Sequence, residues 1–287
     1  MTKILVTGAN GQLGNEIKML SSQFQNCKFD FTDINELDIC NFKSLEQYFE
    51  QNPSDYIINC AAYTAVDKAE TDKENAYRIN AGAVTNIAKL ANKFNAALIH
   101  ISTDYVFGSS QQNFPFKEDD VTCPNSVYGT TKLAGEEEAK KVNKHIIIRT
   151  SWLYSSFGNN FVKTISRLGK ERNELGVIFD QVGTPCYAAD LANVILTIVD
   201  QSENTEHFKS GIYHYSNEGV CSWYDFALEI IKMAKLNCYI KPIETKDYPL
   251  PAKRPAYSVL NKIKIKDTFS IKIPHWTDAL ERCFKEL

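Results

Sequence analysis

The chain opens on Lys3-Ile4-Leu5-Val6-Thr7, a short apolar run rich in β-branched residues, and passes through glycines into Leu13, Ile17 and Leu20 at helical spacing. A run of that kind followed by a 3.6-residue period reads as strand, turn and helix. The unit recurs. Cys27–Thr32, Asp55–Cys60, Ala96–Ile101 and Ile146–Thr150 are further predicted strands, and Lys43–Gln51, Lys73–Asn95 and Pro124–Val142 are predicted helices between them. Strands alternating with helices of ten or so residues require crossover connections, hence a doubly wound parallel α/β sheet of Rossmann type with both faces covered.

Past Arg149 the rhythm changes. Asn160–Leu168, Val177–Phe179, Gly211–Tyr215 and Trp223–Ala234 are short elements among aromatics and glycines, and the stretch from Ile240 to Ser258 holds four of the nine prolines. The division expected is a dinucleotide-binding domain over 1–150 and a smaller α/β substrate lobe over 151–287. The apolar helix Asp190–Asp200 is long enough to return and pack on the first domain.

Composition narrows the class. The 287 residues are 44% apolar and 23% charged, as in ordinary globular chains and unlike disordered or fibrous ones. With 35 acids against 32 bases the net charge is −3, without the basic excess of a nucleic-acid binder. No segment approaches the ~20 apolar residues of a membrane span, and Met1-Thr2-Lys3 leads into the first strand with no secretory signal. The expectation is therefore a cytoplasmic protein with neither nucleic-acid nor membrane partners. Eight cysteines contain no C-x-x-C pair and no zinc-like spacing with histidine, so they are expected to be free thiols.

Chemistry concentrates where strands meet helices. Gly8-Ala9-Asn10-Gly11-Gln12-Leu13-Gly14 lies at the first such junction, where glycine permits a tight turn and lets backbone N–H groups approach a pyrophosphate at the helix N-terminus. The second strand ends in Asp33, about twenty residues further on, placed to accept hydrogen bonds from an adenosine ribose. Asp38-Ile39 follows, and small residues at Ala61-Ala62 would let a cofactor lie against the sheet edge. Of fourteen tyrosines only Tyr128 has a lysine four residues on, Lys132. Residues i and i+4 share a helix face. An ammonium beside the phenol would lower its pKa and make it a better proton shuttle, while Thr103, at the end of the fourth strand, could hydrogen-bond a substrate oxygen.

The spacing G-x-x-G-x-x-G, the Asn59-Cys60-Ala61-Ala62 segment and the Tyr128/Lys132 pair resemble the extended short-chain dehydrogenase/reductase superfamily. Narrower blocks are Thr64–Glu70, Ser102-Thr103-Asp104-Tyr105-Val106-Phe107, Tyr128–Glu136, Arg149-Thr150-Ser151-Trp152, Gly158–Phe161 and Arg254-Pro255. Together, over essentially the whole chain, they resemble the dTDP-4-dehydrorhamnose reductase family. The resemblance implies reduction of the C4 ketone of dTDP-4-dehydro-β-L-rhamnose to dTDP-L-rhamnose, for cell-surface polysaccharide. It puts Thr103, Tyr128 and Lys132 in catalysis. Gly8, Gly11, Gln12, Leu13, Gly14, Asp33, Asp38, Ile39, Ala62, Tyr63 and Thr64, with Tyr128 and Lys132, fall at the cofactor; Thr103, Asp104, Trp152, Asn160 and Arg254 fall at the sugar nucleotide.

Related chains of this fold are sugar-nucleotide dehydratases and epimerases, or a regulatory subunit without catalysis. A 4,6-dehydratase carries Asp-Glu after the threonine; here Asp104 is followed by Tyr105, which disfavours elimination. Trp152, suited to a deoxysugar, favours the enzyme over the regulatory subunit. NADPH and NADH are both candidate cofactors: the family uses NADPH, while Asp33 would repel a 2′-phosphate. Some relatives dimerise around magnesium held by glutamates. Glu16 matches one ligand, but Ala188-Ala189-Asp190 and Thr277-Asp278 stand where others belong, so no metal is expected, and monomer and homodimer both remain open.

Overall fold

The computed structural model describes residues 1–110, 112–205 and 207–287. Its first half alternates β1 (Thr2–Thr7), α1 (Gln12–Leu20), β2 (Cys27–Thr32), α2 (Phe42–Gln51), β3 (Tyr56–Asn59), α3 (Val66–Ala69), α4 (Lys73–Tyr77), α5 (Ala83–Lys93), β4 (Ala97–Thr103), α6 (Val127–Ala139) and β5 (His145–Thr150). The remainder runs β6 (Leu153–Tyr154), α7 (Phe161–Glu171), β7 (Glu174–Ile178), β8 (Val182–Gly183), β9 (Cys186–Tyr187), α8 (Ala188–Glu203), β10 (Gly211–His214), β11 (Cys221–Ser222), α9 (Trp223–Met233), β12 (Tyr239–Ile243), α10 (Ile263–Phe269) and α11 (Trp276–Phe284).

Six parallel strands form one sheet in the order β10-β5-β4-β3-β1-β2. The fold is the doubly wound α/β sheet expected. Alternation along β1 sends Ile4 and Val6 to one face, with α1, α8 and Phe269, and Leu5 to the other, with α2, α5 and Ala139. Each layer buries a continuous apolar surface, so both faces of the sheet are covered. The strand order reverses between β1 and β3, and ligands of such sheets bind beyond the carboxyl ends of the strands at that point.

The chain after residue 150 serves two bodies. α8 returns to pack on α1, and β10, expected within the C-terminal lobe, instead extends the main sheet beside β5 with Gly211 opposite Ile146. Only four residues long and glycine-led, β10 carries too little period to reveal its partner. A separate core gathers α7, α9 and α11 around Phe226, Ile230 and Leu280.

The predicted helix 73–95 is broken by a π-helical turn at Arg78–Gly82. The interruption lets α6 approach closely: a Cβ on Gly135 would lie 2.1 Å from the Asn80 carbonyl oxygen. All eight cysteines are free, and Cys186, Cys221, Cys238 and Cys283 are buried. Among the described residues no helix is long and apolar enough to cross a membrane.

Candidate active site

A cavity of about 870 Å³ opens over the carboxyl ends of β1, β3, β4 and β5. Its size falls within the range of small-molecule and cofactor sites. The glycine turn forms one wall. Gly8 has φ +67°, and a Cβ there would meet the Ala61 backbone nitrogen at 2.6 Å, so the β1 and β3 turns touch through a position only glycine fills. A Cβ on Gly14 would come within 2.5 Å of both Ala9 Cα and the Gly8 carbonyl oxygen. Gly11 caps α1 with no side chain, leaving the first-turn N–H groups and the positive end of the helix without a side-chain partner. This arrangement fits the diphosphate of a dinucleotide.

Gly8, Gly11, Gln12, Leu13, Gly14, Asp33, Asp38, Ile39, Ala62 and Thr64 all line the cavity. Tyr63 does not: its hydroxyl donates to Asp72 at 3.0 Å, and its backbone N–H is received by Asn80 Oδ1 at 2.8 Å. Asn80 also donates to the Tyr63 carbonyl and to Thr131 Oγ1, so this buried amide sets the loop that follows β3. Nothing in the sequence pattern singled it out. Asp33 accepts from the backbone N–H groups of Asn10 and Ile34 at 2.9 and 2.8 Å, which ties the β2 end to the glycine turn. Arg78 and Lys132 are the only cations among the described residues lining the cavity.

The floor is built by β4 and α6. Thr103 pairs opposite Thr150 across β4 and β5. Ser126 caps α6, accepting from the Gly129 N–H at 3.1 Å, and a Cβ on Gly129 would meet the Tyr105 carbonyl oxygen at 2.6 Å. That close approach stacks the Tyr128 ring edge-on to Tyr105 at 5.3 Å, in the cavity with Thr103, Asp104 and Lys132. Burial pushes the Tyr128 phenol up to about 12; the Thr103 hydroxyl pulls it down and the Asp104 carboxylate adds to the rise. Burial also pushes Lys132 down to about 8, opposed by the Glu136 carboxylate.

The Lys132 ammonium does not pair with the phenol as expected; it donates to the Ile101 carbonyl at 2.6 Å. Side chains one turn apart share a face without meeting, and a buried ammonium takes the nearest acceptor. In this state Tyr128 is held as a neutral acid. Burial raises Asp104 to about 6, against the nearby hydroxyls of Ser258 and Thr103. Its Oδ1 accepts from Thr103 Oγ1 at 3.0 Å, while its buried Oδ2 makes no hydrogen bond.

Beneath this floor lies a buried charged network that the sequence left unassigned. Glu136, fully buried on α6, accepts from Arg149 Nε at 2.9 Å and Nη2 at 2.8 Å and also receives the Ser102 hydroxyl. Arg149 lies 5.0 Å above the Phe107 ring. One carboxylate thereby joins α6 to the ends of β4 and β5, next to Thr103 and Thr150.

The residues expected at the sugar nucleotide divide. Thr103, Asp104 and Trp152 line the cavity. Asn160 and Arg254 lie outside the lining. Asn160 caps α7, accepting from Lys163 N–H, and its amide braces Gln12 Oε1 at 3.0 Å and the Ser155 carbonyl at 2.7 Å. Arg254 is held bidentately by Asp67 at 2.7 and 3.1 Å. Glu16 receives the Ser155 hydroxyl at 2.6 Å, and among the described residues no group of three or more His, Cys, Asp and Glu is placed to hold a metal.

A Rossmann sheet with a glycine turn at its switch point, and a Tyr/Lys pair with a threonine on the cavity floor, defines the class: a nicotinamide-dependent short-chain oxidoreductase. Within it, the chain belongs to the RmlD substrate binding domain family, which matches residues 1–287. It is 40% identical over 288 residues to the dTDP-4-dehydrorhamnose reductase of Aggregatibacter actinomycetemcomitans, covering 98% of each chain. The crystal structure of a dTDP-4-dehydrorhamnose reductase from Clostridium acetobutylicum matches it with a TM-score of 0.92 at 42% identity over 99% of both chains. That of the Bacillus anthracis reductase, in complex with NADP, matches with a TM-score of 0.94 at 39% identity over the full length of both.

Proposed function

We propose that this chain uses NADPH or NADH to reduce the C4 ketone of dTDP-4-dehydro-β-L-rhamnose to dTDP-L-rhamnose. The observation that carries the reading is the floor of the cavity, where Tyr128 stands as a neutral acid beside Thr103, and Tyr105 occupies the position at which an elimination enzyme needs a second carboxylate. The relatives named above support the same reading through their reductase names and, for one, through bound NADP.

The glycine turn with Gln12 and Leu13, Asp38-Ile39, Ala62 and Thr64 would hold the dinucleotide. When bound in reduced form, it supplies hydride to the carbonyl carbon. The protein's own work is at the oxygen. Tyr128 gives its phenolic proton there, converting the nascent alkoxide to an alcohol. Thr103, whose hydroxyl donates to Asp104 at 3.0 Å, would turn that proton to the charge that develops on the same oxygen. Lys132 keeps a cation under the floor, and Trp152 offers a flat wall to the deoxysugar.

The reading includes a cytoplasmic enzyme acting as monomer or homodimer. The test follows loss of reduced-nicotinamide absorbance with dTDP-4-dehydro-β-L-rhamnose, with the GDP-linked and enantiomeric 4-keto sugars as controls. Turnover confined to the dTDP-linked L-sugar, with dTDP-L-rhamnose as product, is expected. Absence of turnover with it, or equal rates on the controls, would overturn the reading.

A further inference from the structure

Trp152 lines the cavity from an unusual backbone. Its φ is +46°, left-handed and disfavoured for a residue with a Cβ, and such conformations persist only where the surroundings over-determine them. Two contacts do so. On one side Gly183 leaves room for the indole, since a Cβ there would lie 2.7 Å from Trp152 Cε2 and 2.8 Å from Cζ2. The Trp223 indole lies parallel to it, with ring centroids 3.5 Å apart and planes inclined by 10°.

Trp223 is itself fixed. It is the first residue of α9, whose start is set by a reciprocal cap: Ser222 accepts from Asp225 N–H at 3.1 Å and Asp225 accepts from Ser222 N–H at 2.9 Å. Its ring meets Phe161 at 4.6 Å, which links it to the C-terminal core. Trp223 is absent from the cavity lining.

We propose that Trp223 is a positioning residue that holds the Trp152 indole as a wall for the sugar, so that the C-terminal lobe sets sugar recognition through a stacked tryptophan pair. The inference rests on the functional reading above. An indole left free to rotate would lose its flat face toward the ligand, and stacking of this kind is worth about a two- to tenfold change in affinity.

The full-length chain is tested as wild type, Trp223→Ala, Trp223→Phe, Trp152→Phe and Trp276→Phe. Stacked indoles give an exciton couplet in far-ultraviolet circular dichroism. The couplet should be present in wild type and Trp276→Phe and lost in all three variants of the pair. Trp223→Ala should raise KM for the 4-keto sugar nucleotide and Kd for dTDP-L-rhamnose, by calorimetry, about two- to tenfold, with KM for NADPH unchanged. Trp223→Phe, which keeps a flat ring, should recover most of the loss. A couplet surviving without Trp223, sugar binding unchanged in Trp223→Ala, or equal losses for sugar and NADPH would each overturn the proposal. A wild-type chain that neither binds dTDP-L-rhamnose nor reduces its 4-keto precursor overturns the functional reading and, with it, the ligand named here; normal wild-type turnover with an indifferent Trp223→Ala overturns this inference alone.

Discussion

Arg149 and Glu136 form the least exposed ion pair of the chain's described residues, with side chains 2% and 0% accessible and two hydrogen bonds between them. Arg149→Met keeps the aliphatic stem and removes the charge. Glu136 then keeps the Ser102 hydroxyl and the Lys132 cation one turn away but loses both guanidinium hydrogen bonds. Breaking a buried pair from one side costs about 3–5 kcal/mol, more than the loss of the Phe107 contact, at about 0.5–2 kcal/mol. In a chain of this size that is on the order of 10 °C in Tm.

Urea unfolding, with the denaturant slope checked against wild type, measures the loss. Glu136→Gln/Arg149→Met removes both charges and should recover most of it. A single variant within about 1 kcal/mol of wild type, or a double variant no better than the single, would refute this account of the network.

The remaining predictions concern the cavity. Lys132 is lowered to about 8, so kcat/KM should fall above about 8 as Lys132 loses its proton; an initial-rate profile flat from 7 to 10 would contradict that role. Gly14→Ala should raise KM for NADPH about tenfold or more, because the new Cβ meets backbone at 2.5 Å and the turn must move, whereas Gly11→Ala meets only the Gly8 carbonyl oxygen at 3.2 Å and should cost less in thermal stability. Activity should survive EDTA; its loss there and restoration by magnesium would show a metal requirement that the isolated chain does not reveal.

Much of the fold was legible because local patterns carried it. Apolar strands, glycine at the first turn and the i, i+4 pair at Tyr128 and Lys132 are short-range features, and the sheet, the cavity and the position of the pair follow from them. What escaped depends on long-range contact. β10 joins β5 across about 65 residues of chain, and Arg254 finds Asp67 across 187 positions. Asn160 and Tyr63 carry polar groups that the family resemblance put at ligands, yet each spends them on neighbouring backbone or side chains. The break at Arg78–Gly82 belongs to the same class, since close approach of Gly135 to Asn80 becomes visible only once α6 is in place. Lys132 bonds the Ile101 carbonyl instead of acting directly on Tyr128, a choice of acceptor that spacing alone does not convey.

The central claim is that Tyr128 is the proton donor in reduction of a sugar-nucleotide ketone. Its most direct test is Tyr128→Phe, which removes one oxygen from the cavity floor and keeps the ring against Tyr105. Turnover of dTDP-4-dehydro-β-L-rhamnose with NADPH should fall by about 10²–10⁴-fold, the contribution typical of a positioned general acid, while NADPH binding by calorimetry stays within about twofold of wild type. Near-wild-type turnover in this variant would contradict the account.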